Sequence, residues 1–209
     1  MKPNLIEIDS AFTRHYRELL KIQQDIKVQL DSYPYDLEKS EITEAIIERM
    51  NAFWYFNSSN NYDLLERRSN PVSADFFTES CLLFIKTYFE QKGDYKVLSE
   101  VKIGGNQGVK PDILITQGDG KAVAVLELKV SDGWKRNEME AHLSQREERI
   151  KEYYPNAWFG VLAYWNFIPA DSPYWGTKYF GLLEHKTKSP TDIKIEHLIK
   201  LMEEHIAKV

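Results

Sequence analysis

The sequence predicts an α/β protein, with core elements in the order helix, three strands, helix, strand and a helical region before them. Three observations carry this. First, two aliphatic segments, Lys110-Pro111-Asp112-Ile113-Leu114-Ile115 and Lys121 to Val130, flank Thr116-Gln117-Gly118-Asp119-Gly120. β-Branched and aliphatic content with Gly-Asp-Gly punctuation predicts two strands joined as a hairpin. Second, apolar residues recur at helical spacing on both sides of that hairpin. Third, Trp158-Phe159-Gly160-Val161-Leu162-Ala163-Tyr164-Trp165 is a continuous apolar run of strand length.

In chain order, Phe12, Tyr16, Leu19, Leu20, Ile22, Ile26 and Leu30 recur at helical spacing, and Asp9-Ser10 is placed to cap that helix. Tyr33-Pro34-Tyr35 breaks it. A second periodic run holds Ile42, Ala45, Ile46, Ile47 and Met50, and Asn57-Ser58-Ser59-Asn60-Asn61 is expected as a polar loop. Between these lies the aromatic run Phe53-Trp54-Tyr55-Phe56, which suits a core better than a base-stacking surface. Ser73-Ala74-Asp75 is positioned to cap a helix through Phe76, Phe77, Cys81, Leu82, Phe84, Ile85 and Tyr88, ended by Lys92-Gly93. Tyr95 to Ile103 follows as the first strand, stopped by Gly104-Gly105, and then the hairpin. A helix from about Asn137 to Tyr153 leads to the strand at Trp158. Tyr174, Trp175 and Tyr179 suit an exposed loop or a short strand, and a capped helix is expected from about Thr191 to Ala207. The expected divisions are a helical region over 1–70, a core over 71–168 and an extension over 169–209 ending in a helix.

Composition is ordinarily globular, with 43% hydrophobic and 28% charged residues, so a chain of 209 residues can bury a sizeable core. One cysteine excludes an intrachain disulfide framework and a cysteine-rich zinc site. No apolar run reaches membrane-spanning length and no basic-plus-apolar leader opens the chain, so a cytoplasmic protein is expected.

The informative residues are Asp112 and Glu127-Leu128-Lys129. Side chains alternate along a strand, so Val123, Val125, Glu127 and Lys129 are expected on one face and Ala124, Leu126 and Leu128 on the other. Two carboxylates and an ammonium thus meet at the end of an apolar ribbon, where each needs a partner or a metal. Taken singly, they read as a strand-end ion pair and a turn residue; taken together on one hairpin, they read as a site.

At these residues the chain resembles the PD-(D/E)XK nuclease superfamily, whose fold is that of many restriction endonucleases. Pro111-Asp112 matches the first half of the motif and Glu127-Leu128-Lys129 the second, and the elements from about Pro71 to Ile168 follow the family's order. The resemblance implies a restriction-endonuclease-like core, a mixed central sheet flanked by helices. It also implies a metal-dependent endonuclease acting on phosphodiesters, most naturally in DNA, of the restriction, defence or repair type. Asp112, Glu127 and the Leu128 carbonyl would hold Mg²⁺ or Mn²⁺, a hard ion suited to oxygen ligands and retained waters. Lys129 would hold or polarise the attacking water. Glu79, on the helix before the first strand, is a further candidate ligand, either solvated or aimed at the metal. Gln145 lies where some branches carry a supporting glutamine, although Arg149 stands where the recombination-type Gln-x-x-x-Tyr signature has its tyrosine.

Arg146, Glu147, Glu148 and Arg149 otherwise read as a charged helix surface, and His142 has no second ligand at metal spacing. The net charge of −5 argues against a nucleic-acid partner. Tyr95 to Lys151 alone is nearly neutral, with ten Lys/Arg against nine Asp/Glu, and Lys102, Lys110, Lys135, Arg136 and Arg149 could form a phosphate-contacting rim. Cutting both strands usually takes two sites, so a homodimer is expected, with the N-terminal helices as interface. The alternatives left open are a catalytically inactive nuclease-like module that binds nucleic acid or protein, and an RNA-directed nuclease.

Overall fold

The computed structural model describes residues 4–67, 72–102, 108–118, 120–131 and 138–208. The chain separates into two compact units, Met1–Pro34 and Tyr35–Val209. The first is one long helix, α1 (Leu5–Asp31), with no buried residue. Its cap lies earlier than Asp9-Ser10. Asn4 accepts from the Glu7 amide, and the Glu7 carboxylate accepts from the Asn4 amide, which satisfies two otherwise orphaned donors.

The second unit carries the remaining elements: α2 (Ile42–Ser58), α3 (Ser73–Lys92), β1 (Tyr95–Ser99), β2 (Ile113–Gln117), β3 (Lys121–Lys129), α4 (Met139–Lys151), β4 (Trp158–Asn166), β5 (Tyr179–Glu184) and α5 (Ile195–Ile206). The strands form one sheet in the order β1-β2-β3-β4-β5. β1, β2 and β3 pair antiparallel, whereas β3–β4 and β4–β5 pair parallel. The result is a mixed α/β sheet flanked by helices, in the order expected from the sequence. None of the described helices is long and apolar enough to cross a membrane.

Alternation along β4 separates the two faces. Val161 and Ala163 join Val109, Leu114, Val125 and Phe159 in a core beneath Met139, Leu143 and Ile150 of α4. Tyr164, the next residue after Ala163, points to the other face and packs edge-on against Phe77 of α3. On this second face α3 and α5 cover the sheet, and the Tyr88 hydroxyl of α3 donates to Glu203 of α5 at 2.8 Å. Parallel strands need a crossover. α4 supplies it between β3 and β4, whereas residues 167–178 join β4 to β5 by turns alone, with the Tyr174 carbonyl accepting from Thr177, Lys178 and Tyr179.

Several local expectations are corrected. The stretch 57–61 is helical: α2 runs to Ser58 and continues as a π-helical turn, Ser59–Leu64. α3 begins at Ser73 without a side-chain cap, because Ser73 is already inside the helix and buried. β1 ends at Ser99, since Glu100 takes a left-handed φ of 55° and its amide turns to the Asp112 carbonyl. Ile103 and the Gly104-Gly105 stop lie outside the described residues. A bulge opposite Ile115/Thr116 adds a residue to β3, so Ala122 rather than Val123 shares the α4-facing core with Val125. Phe53 stacks on Phe76 at 4.6 Å, while Tyr55 and Phe56 of the same run are exposed.

α2 and α5 cap each other. Neither has a side-chain cap at its own N-cap residue. Instead the buried Glu196 carboxylate of α5 accepts from the Ile42 amide (2.6 Å), the Thr43 amide (3.2 Å) and the Thr43 hydroxyl (2.6 Å). The Thr43 hydroxyl oxygen in turn accepts from the Ile195 amide at 2.8 Å. A carboxylate at a helix N-terminus also meets the positive end of the helix dipole.

Replacing Glu196 by alanine strands three buried donors and is expected to cost about 2–4 kcal/mol of unfolding free energy. Urea unfolding followed by circular dichroism measures this, and a change within about 0.5 kcal/mol would show the shared caps to be dispensable.

Candidate active site

The hairpin and the parallel partner strand together place the motif residues. β2 begins at Ile113, opposite Leu126, so the ladder has no further rung when β3 reaches Glu127. Asp112 closes that end. Its carboxylate Oδ2 accepts from the Leu128 amide at 2.6 Å, and its carbonyl accepts from the Ser99 hydroxyl at 2.9 Å and the Glu100 amide at 3.3 Å. One residue thus ends both neighbouring strands and turns a carboxylate towards β3.

Glu127 and Lys129 pair with Val161 and Ala163 of β4, and so point to the α4 side of the sheet. Lys129 Nζ lies 3.4 Å from Glu127 Oε2 and 3.7 Å from Asp112 Oδ2. The Glu127 side chain is only 5% exposed, whereas those of Asp112 and Lys129 are 26% and 24% exposed. The group is therefore a buried carboxylate with an open rim. Burial pushes the Glu127 carboxyl above its ordinary value and the Asp112 charge adds to the rise, while Lys129 and Arg146 pull it down without cancelling it.

Arg146 of α4 is the residue that sequence reasoning missed. Its Nε and Nη2 donate to Glu127 Oε1 at 3.1 and 2.7 Å, and Nη2 also reaches the Lys110 carbonyl at 3.4 Å. The signal was in the helix spacing. Met139, Leu143, Glu147 and Ile150 are the buried residues of α4, and the part-buried position 146 falls between Leu143 and Ile150 on the same side of the helix. A charged residue on that side needs a partner, and Glu127 is that partner.

The other expected residues are distributed differently. Gln145 points out on α4 and lines a surface recess with Glu138, Ala141, His142, Ser144 and Glu148. Glu79 is exposed on α3, where its charge acts on the half-buried Arg49 of α2. Lys110 contributes its carbonyl to the site, while its side chain pairs with Glu100 at 2.8 Å. Arg149 is exposed on α4, and Lys135 and Arg136 lie outside the described residues. The structure therefore brings together Asp112, Glu127, Lys129 and Arg146, with the Leu128 backbone between them.

α4 is fastened to the connection before β5. Ser172 donates to Glu140 at 2.5 Å, Ser144 and Tyr174 hydroxyls meet at 3.4 Å, and buried Glu147 pairs with Lys151 at 2.6 Å and with Lys178. These contacts fix the helix that delivers Arg146.

Among the described residues, no group of three or more His, Cys, Asp or Glu side chains is arranged to hold a metal ion. The available donors are two carboxylates on one rim, already arranged around a cation, the Lys129 ammonium. That set suits Mg²⁺, which binds through one or two carboxylates and keeps waters, better than an ion needing a full protein cage.

No protein-family model and no curated protein matches the chain. Among solved structures, a chain of the cryo-electron-microscopy structure of a DrdV–DNA complex is similar, with a TM-score of 0.36 and 12% identity. The similarity covers 60% of this chain and 72% of that chain.

In metal-free buffer, the raised Glu127 pKa predicts the sign of one pH effect. The folded state holds this proton more tightly than the unfolded state, so the contribution of Glu127 to stability falls as pH rises from the ordinary glutamate value of 4.5 through the elevated one. Unfolding free energies of the wild type minus those of Glu127→Gln, measured in EDTA across that range, are expected to decline with pH; a flat or rising difference contradicts the assignment.

Proposed function

We propose that the protein is a metal-dependent endonuclease of the PD-(D/E)XK type, hydrolysing phosphodiester bonds with DNA as substrate. The observation that carries this is the convergence of Asp112 and Glu127 on one Lys129 ammonium, at the rim where the β2–β3 hairpin meets the parallel strand β4. The motif residues are separated in sequence, and the fold gathers them on one side of the sheet.

In this reading Asp112, Glu127 and the Leu128 carbonyl provide the oxygen ligands. A bound Mg²⁺ or Mn²⁺ supplies a water of lowered pKa and positive charge for the phosphate. Lys129 donates to the attacking water or to a non-bridging phosphate oxygen, where negative charge grows as phosphorus becomes pentacovalent. Water attacks phosphorus and gives up a proton to solvent, while the bond to the leaving sugar oxygen breaks and that oxygen takes up a proton from solvent to leave as a hydroxyl. Arg146 is a positioning residue whose two bonds to Oε1 hold the Glu127 carboxylate in place at the rim. The exposed cations Lys110 and Arg149, together with Lys135 and Arg136, are assigned to phosphate contacts. Glu79 and Gln145 remain outlying candidates for support of the site. Cutting both strands takes two such rims, which we assign to a homodimer.

With Mg²⁺ or Mn²⁺, the protein is expected to cleave at least one of a panel of plasmid, linear duplex, single-stranded DNA and RNA substrates. Asp112→Ala and Lys129→Ala should each reduce cleavage at least about a hundredfold with an unchanged circular dichroism spectrum. Cleavage that survives both changes excludes the mechanism. RNA-only cleavage changes the substrate, and inertness on the whole panel leaves the non-catalytic module as the function.

A further inference from the structure

We propose that the turn after β5, residues 185–188, is a second DNA contact, in which Lys186 and Lys188 bind backbone phosphates beyond the Asp112–Lys129 rim and Trp165 positions Lys188. The inference rests on the reading of DNA as the substrate.

The topology brings this turn to the edge that carries the rim. β3, β4 and β5 run parallel, so all three leave the sheet at one edge. Lys129 lies opposite Ala163, and Ala163 lies opposite Gly181. With strands about 4.8 Å apart and a rise of about 3.3 Å per residue, His185 opens the turn on the order of 15 Å from Lys129, less than half of a duplex turn of about 34 Å. One duplex lying along that edge spans both.

The turn is held closed by its own bonds. The Glu184 amide donates to the Ser189 carbonyl and the Lys188 amide to the Glu184 carbonyl, both at 2.8 Å, and Leu183 pairs with Pro190. The Thr187 and Ser189 hydroxyls meet at 2.6 Å. This reversal puts Lys188 at a left-handed φ of 62°, a conformation that glycine adopts without strain and lysine does not. What lysine adds there is its side chain. Nζ lies 4.0 Å from the centre of the half-buried Trp165 ring, which stands edge-on to Tyr164 at 4.8 Å and to His185 at 6.4 Å. A ring face holds an ammonium without neutralising it. Lys186 and Lys188 are exposed, and among the described residues neither enters an ion pair, whereas Lys110 pairs with Glu100 and Lys178 with Glu147. Glu184, the acid that precedes the turn, accepts from the Asn166 side-chain amide at 3.3 Å. Two unneutralised ammonium groups on a fixed turn, at the edge where the phosphodiester is cut, suit phosphate oxygens, which bind by charge without regard to sequence. They give a chain of net charge −5 a local basic footprint.

Fluorescence anisotropy of a labelled DNA duplex, titrated with the intact chain in EDTA over a range of salt concentrations, tests this on the wild type, Lys186→Ala, Lys188→Gly, the double variant, Lys188→Arg and Lys96→Ala. Glycine at 188 suits the turn, so weaker binding there reports the lost ammonium and not a disturbed backbone. Each single loss is expected to raise Kd about three- to tenfold, and the double variant to make the slope of log K against log salt shallower by about two. Lys188→Arg keeps the charge and is expected to bind within about twofold of the wild type. Lys96 is exposed on β1, opposite Thr116 and so towards the end of the sheet where β3 begins. Lys96→Ala makes the same change of charge away from the proposed contact and is expected to leave Kd unchanged. A double variant that binds like the wild type, or Lys96→Ala weakening binding as much as Lys188→Gly, overturns the inference and leaves the DNA-directed reading in place. No binding of the duplex by the wild type overturns that reading along with it.

Discussion

A carboxylate buried in an apolar sheet is the constraint around which this protein is arranged. Glu127 lies among valine, leucine and alanine side chains, where an unpaired negative charge is strongly unfavourable. Its own strand supplies one cation, Lys129, and the second must come from another element. Arg146 comes from α4, so α4 has to sit at a fixed height and rotation above β3. The bonds from Ser172, Tyr174 and Lys178 to α4 set that position, and they come from the connection leading into β5. A single buried charge therefore links the hairpin, the crossover helix and the far strand pair.

The change of pairing at β3 gives the charge its setting. β3 is antiparallel to β2 on one side and parallel to β4 on the other, and β2 stops short of it. Where the antiparallel partner ends, β3 exposes an amide, and Asp112 satisfies it with a side chain instead of a backbone carbonyl. An acidic residue thus substitutes for a strand rung. This places the second carboxylate beside the first without requiring another element.

Much of this was legible in the sequence. The hairpin, the helices on either side of it and the strand at Trp158 follow from short-range patterns, and Asp112, Glu127 and Lys129 stood out as charges in apolar strands. What was missed depended on long-range contacts. Arg146 reads as surface charge if only its charged neighbours are considered, and as a part-buried position once Met139, Leu143 and Ile150 are counted on the same side. The 57–61 stretch has loop composition but continues α2 as helix. The bulge opposite Ile115 and Thr116 leaves no clear mark in the alternating pattern. Asp9-Ser10 and Ser73-Ala74-Asp75 have cap chemistry, yet Asn4 captures the first helix and Ser73 falls inside α3.

The exchange of caps between α2 and α5 has a consequence for how the chain is made. The bond that the Thr43 hydroxyl donates to Glu196 spans 153 residues, nearly the whole of the second unit. On a ribosome, the amides at the start of α2 emerge long before the carboxylate that satisfies them. The layer of α3 and α5 over the sheet likewise cannot close until the last helix is out. Synthesis from the N-terminus therefore leaves the second unit waiting for α5, and a contact so distant in sequence forms only after that helix has emerged. A ribosome stalled before Ile195 would hold a chain whose sheet is written in full but whose α5-facing side stays open.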